Sequence, residues 1–152
     1  MMTVRVIHAV DTRPLRHQVL WPHIENVENC MIDIDNRVDA IHLGTFDGER
    51  LVSVGSLFEM RSDKLEHLLQ YRLRAMATDP DFRGRSAGKV LINKAVEILE
   101  GLNYEVLWCD ARLHATGFYS SLGFKKLEEI YQVKNIGPHQ FMWKELQQVK
   151  ST

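Results

Sequence analysis

The stretch Arg83-Gly84-Arg85-Ser86-Ala87-Gly88-Lys89 gathers three cations and two glycines within seven residues. It lies between a segment that reads as a strand end and one that reads as a strong helix. A helix start leaves its first N–H groups without intrahelical partners and concentrates positive partial charge, so it is a natural anion site. Gly84 and Gly88 have no Cβ and let an anion approach the backbone closely. Arg83, Arg85 and Lys89 add mobile positive charge, and a pyrophosphate is the natural ligand. The plain alternative is that Gly84 turns the chain and Gly88 permits close helix packing. The spacing is neither Gly-x-x-x-x-Gly-Lys-Ser/Thr nor Gly-x-Gly-x-x-Gly, so neither a P-loop nor a dinucleotide fingerprint is present.

The elements that position this loop are legible from patterning. Ala87, Val90, Leu91, Lys94, Ala95 and Ile98 lie on overlapping i+3/i+4 rows, which predicts a helix stopped by Gly101. Before the loop, Leu65–Ala77 reads as one long strand, with a helix as competitor for its first half because Leu65, Leu68 and Leu69 also fit a helical period. Asp79-Pro80 ends that element. Ala40–Phe46 and Arg50–Met60 read as strands joined at Asp47-Gly48, a strong hairpin signal. Val4–His8 reads as a strand. A helix opens near Asp11-Thr12-Arg13-Pro14 and carries Leu15, Val19 and Leu20, and a short helix is expected near Val27–Met31. Beyond Gly101, Glu105–Cys109 reads as a buried strand, Leu113–Leu122 as a short helix ending at Gly123, and Phe124–Glu129 and Gln140–Lys144 as closing strands. The order makes a mixed α/β domain with one principal sheet.

The chain has 152 residues, with 45% hydrophobic and 26% charged residues and a formal charge of −1. These values fit a single soluble domain over 1–152 and argue against a generally basic nucleic-acid surface. Two cysteines, Cys30 and Cys109, make no disulfide framework. No apolar run approaches a membrane span and the N-terminus has no signal-peptide core, so a cytoplasmic location is expected. The seven histidines include no His-x-x-x-His pair and the cysteines no Cys-x-x-Cys, so no metal is expected.

The loop stands as Arg83-x-x-Ser86-x-Gly88, and in this form it resembles the Gln/Arg-x-x-Gly-x-Gly/Ala signature of the GNAT acyltransferases, with Ser86 where that family usually has glycine. Leu73–Gly84 is similar to that family's fourth strand and following turn. Trp108–Phe124 is similar to its fifth strand, fourth helix and Phe-Tyr-x-x-x-Gly-Phe segment, with His114 where many members have a cofactor-contacting asparagine. Leu15-Arg16-x-x-Val19-Leu20-Trp21-Pro22 and Gly137–Met142 resemble segments of one uncharacterised bacterial subgroup.

The resemblance implies a mostly antiparallel α/β (α+β) sheet of roughly six to seven strands with about four helices, strands four and five splayed apart. It implies that backbone groups of Met76, Ala77 and Thr78 hold the pantetheine of acetyl-CoA. The N–H groups of Gly84, Arg85, Ser86, Ala87, Gly88 and Lys89, with Arg83, would hold its pyrophosphate, and His114 lies beside the cofactor path. The implied reaction is N-acetyl transfer to a small-molecule or peptide amine by direct attack in a ternary complex. Tyr119 is then the general acid for the departing thiolate, a phenol of ordinary pKa near ~10 that keeps its proton at neutral pH. Packing of Tyr119 on Phe118, Leu122 and Phe124 is compatible with that role. The base is open among Glu59, Glu66, His42, Asp110 and His139. The family's habits also allow a homodimer.

Three readings compete. A non-catalytic acyl-CoA-binding or sensing module of the same fold would bind coenzyme without transfer, and a nucleotide-binding protein would use the same anion loop for ATP or a dinucleotide. A Cys109 nucleophile is disfavoured, because a strand cysteine commonly serves as a small apolar residue. Trp21, Trp108 and Trp143 read as core or interface aromatics, since no basic stripe accompanies them.

Overall fold

A computed structural model describes residues 1–148, so the last four residues of the expected 1–152 domain lie outside the described residues. Among the described residues there are eight strands and three α-helices, against the expected six to seven and about four. The strands are β1 (Met2–Ile7), β2 (Ile41–Asp47), β3 (Arg50–Glu59), β4 (Gln70–Thr78), β5 (Val106–Arg112), β6 (Lys125–Lys126), β7 (Tyr131–Val133) and β8 (Gly137–Glu145). The helices are α1 (Arg13–Leu15), α2 (Ala87–Gly101) and α3 (Thr116–Ser121). Two compact units divide the chain: Met1–Glu59 with Leu73–Ile98, and Met60–Arg72 with Leu99–Thr152.

In the first unit the strand order is β1-β2-β3-β4. The β1–β2 and β2–β3 ladders are antiparallel, and Asp47-Gly48 makes the expected hairpin, with Gly48 at φ 61°. α1 is one turn inside a longer helical run. A 3-10 turn over Ala9–Thr12 precedes it, and a π-turn over Arg16–Leu20 follows, closed by Trp21 N–H donating to the Arg16 carbonyl at 2.9 Å. Near Val27 the expected short helix is a 3-10 turn, Val27–Asn29, capped by the Asn26 side chain. α2 buries Ala87, Leu91, Ile92 and Ala95. Its buried face includes Ile92 and leaves Val90 and Ile98 partly covered, a rotation from the expected stripe. At Gly55 on β3 an added Cβ would come within 3.0 Å of Leu91 and 3.1 Å of Met76, so glycine there allows the helix to seat on the sheet.

In the second unit, residues Gln70–Arg72 of β4 run parallel to Val106–Trp108 of β5. β5 pairs antiparallel with β8 over seven residues, and β6 and β7 pair with β8. β7 was not expected from the sequence. Helix α2 runs through Gly101, and the chain leaves it at Asn103, which takes φ 63°. The expected helix over Leu113–Leu122 divides into a 3-10 turn, Leu113–Ala115, and α3, with Gly123 turning the chain at φ 92°.

Residues 65–69 correct both sequence expectations, being neither strand nor helix. The cause is the Gln70 amide, 1% exposed. Its Oε1 accepts from Ser62 N–H at 2.8 Å and its Nε2 donates to the His67 carbonyl at 2.8 Å. The N–H groups of Leu68 and Leu69 both donate to Glu105 Oε1, at 3.0 and 2.9 Å. Side chains thus satisfy the backbone locally, and no ladder is needed there.

Candidate active site

In the first unit the expected cofactor residues form one continuous stretch. β4 ends at Thr78, with Ala77 buried between the partly covered Met76 and Thr78. Ala75, just before them, has φ 54°, a left-handed residue of the kind that re-aims a strand at a bulge. Thr78 Oγ1 lies 2.9 Å from Ser53 Oγ, and Asp79 N–H donates to the Val52 carbonyl at 2.8 Å. Asp79 then caps a 3-10 turn over Pro80–Phe82, accepting from Asp81 N–H at 3.0 Å and from Arg50 Nη2 at 2.8 Å. The Asp81 N–H bond, with Arg50 beside it, holds the Asp79 carboxyl below its ordinary pKa.

The loop that follows is built around Phe82, buried under the guanidinium groups of Arg50 and Arg85 at 4.9 and 4.6 Å. Arg83, Gly84, Arg85, Ser86 and Lys89 are exposed, while Ala87 and Gly88 are buried. Gly84 and Ser86 both take the left-handed conformation, at φ 74° and 69°. This gives the physical reason for glycine at the Ser86 position of the signature: a side chain there carries backbone strain. The first bond of α2 runs from Val90 N–H to the Ser86 carbonyl at 3.0 Å, so the N–H groups of Ala87, Gly88 and Lys89 have no intrahelical partner. Those donors and the surrounding cations fit a pyrophosphate.

In the second unit Tyr119 is buried on α3, edge-on to Phe118 and Phe124 with ring centroids 5.1 and 5.3 Å away. Burial, and secondarily Cys109, raises its phenol well above the ordinary value, so it keeps its proton. Cys109 is itself pushed up by burial and then by Asp110, which leaves it a thiol and not a nucleophile. His114 is exposed just after β5 and, with Arg112, Leu113, Ile136 and Pro138, lines a depression of about 300 Å³.

The other face of β5 and β8 carries a cluster that sequence reasoning named only in part. The register pairs Trp108 with Trp143, Asp110 with Phe141 and Arg112 with His139, so these side chains share one face. Asp110 accepts from Arg72 Nη2 at 2.8 Å and from the Tyr131 hydroxyl in a short bond. Burial first, then that bond to Asp110, raises the Tyr131 phenol. Arg72 lies over the Trp108 ring at 4.8 Å, and Trp108 donates to the Met60 carbonyl at 2.9 Å. Tyr131 and Arg72 were missed because their partners are set by β7–β8 and β4–β5 pairing, which leaves no local signal.

Among the candidate bases, His42 and His139 can be separated by tautomer. His42 Nε2 donates to the Asp35 carbonyl at 2.9 Å, and Nδ1 takes the Ser56 hydroxyl at 2.7 Å, so both ring nitrogens are engaged. His139 Nδ1 must donate to the Gly137 carbonyl at 2.8 Å, which puts the neutral ring's lone pair on Nε2. Glu59 ends β3 and Glu66 lies in the 62–69 loop, both exposed. Among the described residues no cluster of metal-ligating side chains occurs, and no helix is long and apolar enough to cross a membrane.

The family model described as "Acetyltransferase (GNAT) family" matches residues 7–124. An uncharacterised N-acetyltransferase of Bacillus subtilis, YitI, is 36% identical over 146 residues, covering 96% of this chain and 97% of that protein. An aminoglycoside 6'-N-acetyltransferase complexed with coenzyme A superposes with a TM-score of 0.77 at 13% identity, over 98% of this chain and 99% of the other. The ribosomal-protein-S18-alanine N-acetyltransferase of Escherichia coli superposes with a TM-score of 0.72 at 16% identity, over 99% and 97%.

Proposed function

The chain belongs to the GNAT acetyltransferase family, and from that premise we propose that it moves an acetyl group from acetyl-CoA to a primary amine by direct attack in a ternary complex. The observation that carries this reading is the row of N–H groups at Ala87–Lys89 without intrahelical partners, set among Arg83, Arg85 and Lys89 one short turn after the end of β4. We read residues 1–152 as one N-acetyltransferase domain.

Acetyl-CoA supplies the thioester carbon that the amine attacks. Met76, Ala77 and Thr78 offer backbone groups along the pantetheine, and residues 83–89 hold the pyrophosphate by N–H donation and charge. His114 lines the depression after β5, and in this reading it meets the coenzyme. In the transfer, the amine N–C bond forms and the C–S bond breaks. One proton leaves the nitrogen and one reaches the thiolate.

Tyr119, kept protonated by its burial, gives the thiolate its proton. His139, with its lone pair on Nε2, takes the proton from the amine. Asp110 is unsuited to that task because Arg72 and Tyr131 already occupy its two oxygens.

The test is a thermal-shift titration with acetyl-CoA, CoA, ATP and NAD on the wild type and on Gly88→Glu. A ligand that binds only the folded state raises the melting temperature. Stabilisation by the CoA species alone, lost in the variant, supports the reading. A preference for ATP or NAD, or no shift with CoA species, overturns it. Coenzyme binding without transfer to any amine in a broad screen points instead to an acyl-CoA-binding module.

A further inference from the structure

An ammonium already sits in the aromatic cluster of the second unit. Lys64 Nζ lies 4.7 Å from the Tyr131 ring centroid and 5.1 Å from that of Phe141, within the range at which ring faces attract a cation. The rings are held from the sheet. Tyr131 is fixed by its hydroxyl on Asp110 and by stacking on His139, and Phe141 stacks on Trp108 at 5.3 Å. Lys64 comes instead from the irregular segment before β4, on a flexible aliphatic stem. Phe141 is 1% exposed although the side chain over it belongs to an exposed residue. The rings are thus anchored on the sheet, and the ammonium over them is carried by an exposed side chain of an irregular segment.

We propose that the Tyr131–Phe141 pair is a seat for an ammonium of the acceptor, filled by Lys64 in the free protein and yielded to a linear alkylammonium. The proposal rests on the amine-transfer reading and names the acceptor class. Ring faces attract the protonated amine, whose nitrogen has no lone pair and cannot attack a carbonyl. The nucleophile is then a different nitrogen of the same molecule. The acceptor is a linear diamine or polyamine, or a peptide carrying a lysine-like side chain beside the reacting amine, with one charge seated and another nitrogen deprotonated to react.

The experiment titrates 1,5-diaminopentane, n-pentylamine and 1-pentanol by calorimetry into the wild type and Lys64→Ala. The double variants Lys64→Ala/Tyr131→Phe and Lys64→Ala/Tyr131→Leu are titrated alongside. Emptying the seat should tighten both amines by about twofold to thirtyfold, the range expected for a cation on ring faces. The gain should survive Tyr131→Phe, which keeps a ring, and vanish with Tyr131→Leu, while 1-pentanol gains nothing.

Equal amine affinity in the wild type and Lys64→Ala overturns the seat, as does an equal gain for 1-pentanol. Melting curves with acetyl-CoA on the same preparations separate the two readings. Stabilisation by acetyl-CoA without an amine gain overturns the seat alone. No stabilisation by acetyl-CoA overturns the transfer reading, and with it the role of the seat in choosing an acceptor, whatever the amines do.

Discussion

Asp35 receives both terminal nitrogens of Arg16, at 2.7 and 2.9 Å, in a pair whose side chains are 5% and 0% exposed. The guanidinium also donates to the Cys30 carbonyl at 3.2 Å and to Ser56 Oγ at 2.9 Å, and the Ser56 hydroxyl donates in turn to His42 Nδ1 at 2.7 Å. The ion pair thus ties the first helical run, the irregular segment after it and β3 together inside the first unit. Arg16 comes from the Leu-Arg-x-x-Val-Leu-Trp-Pro stretch, whose arginine is here a core residue.

Asp35→Asn should therefore be strongly destabilising, because it leaves the Arg16 charge buried without its counter-ion. Breaking such a pair costs about 3–5 kcal/mol, or roughly 6–20 °C of melting temperature for a chain of this size. The double replacement Arg16→Met/Asp35→Leu should be milder than either single change. Denaturant melts of Arg16→Met, Asp35→Leu and the double variant check this, and a double variant as weak as either single change would contradict it.

The same carboxylate sets an acid limit. Burial alone would raise the Asp35 pKa, but Arg16, the Ile32 N–H and His42 together outweigh it and hold the carboxyl below the ordinary value of 3.8. A group whose folded pKa is depressed contributes stability above its unfolded pKa and loses it as pH falls through the folded one. Stability should accordingly be flat in this contribution above pH ~5 and fall below pH ~4. Asp35→Asn should show a shallower acid fall in urea melts run across that window.

Ser86→Gly should stabilise the protein. Serine at φ 69° bears a left-handed cost of about 1–2 kcal/mol, partly offset by the extra chain entropy of glycine. A net rise of about 1–3 °C is expected, with acetyl-CoA stabilisation retained. An unchanged or lower melting temperature would show that the serine hydroxyl makes up the strain.

Tyr119→Phe keeps the ring between Phe118 and Phe124 and removes only the hydroxyl. Once an acceptor is in hand, kcat should fall by about 10²–10⁴ while the melting temperature moves little. Since burial holds the phenol well above its ordinary value, the wild-type rate should show no Tyr119-dependent loss below pH ~10. Unchanged turnover in the variant would remove Tyr119 from the chemistry.

His139→Gln preserves hydrogen-bonding capacity at that position and removes the basic lone pair. The expected result is a kcat/KM lower by about 10²–10⁴ near neutrality, recovering as pH rises and more of the free amine is deprotonated without help. A variant with the wild-type pH profile would send the search for the base elsewhere.

The turn at 83–89 and its helix were legible because their determinants are contiguous: glycines, cations and a periodic helix lie within a few turns of one another, where helix-end physics is local. The Asp47-Gly48 hairpin, α2 and the buried β5 were legible for the same reason. Residues 65–69 were not, because leucine spacing suggests a strand or helix while the deciding group is the amide of Gln70 and the carboxylate of Glu105, some 36 residues away. β7 escaped notice because its three residues are defined by β8 and not by any pattern of their own.

By itself the sequence determined a mixed α/β chain with a glycine- and cation-rich turn at 83–89 ahead of a long helix, since periodicity and helix-start electrostatics act between near neighbours. Only the tertiary structure decided that Arg16 is a buried ion-pair partner and that Ser86 sits in left-handed backbone. It likewise decided that Asp110 is held by Arg72 and Tyr131, and that Lys64 rests on two rings. Those facts depend on strand register and on contacts between residues far apart in the chain, which bring charges and rings together only after the sheet has formed.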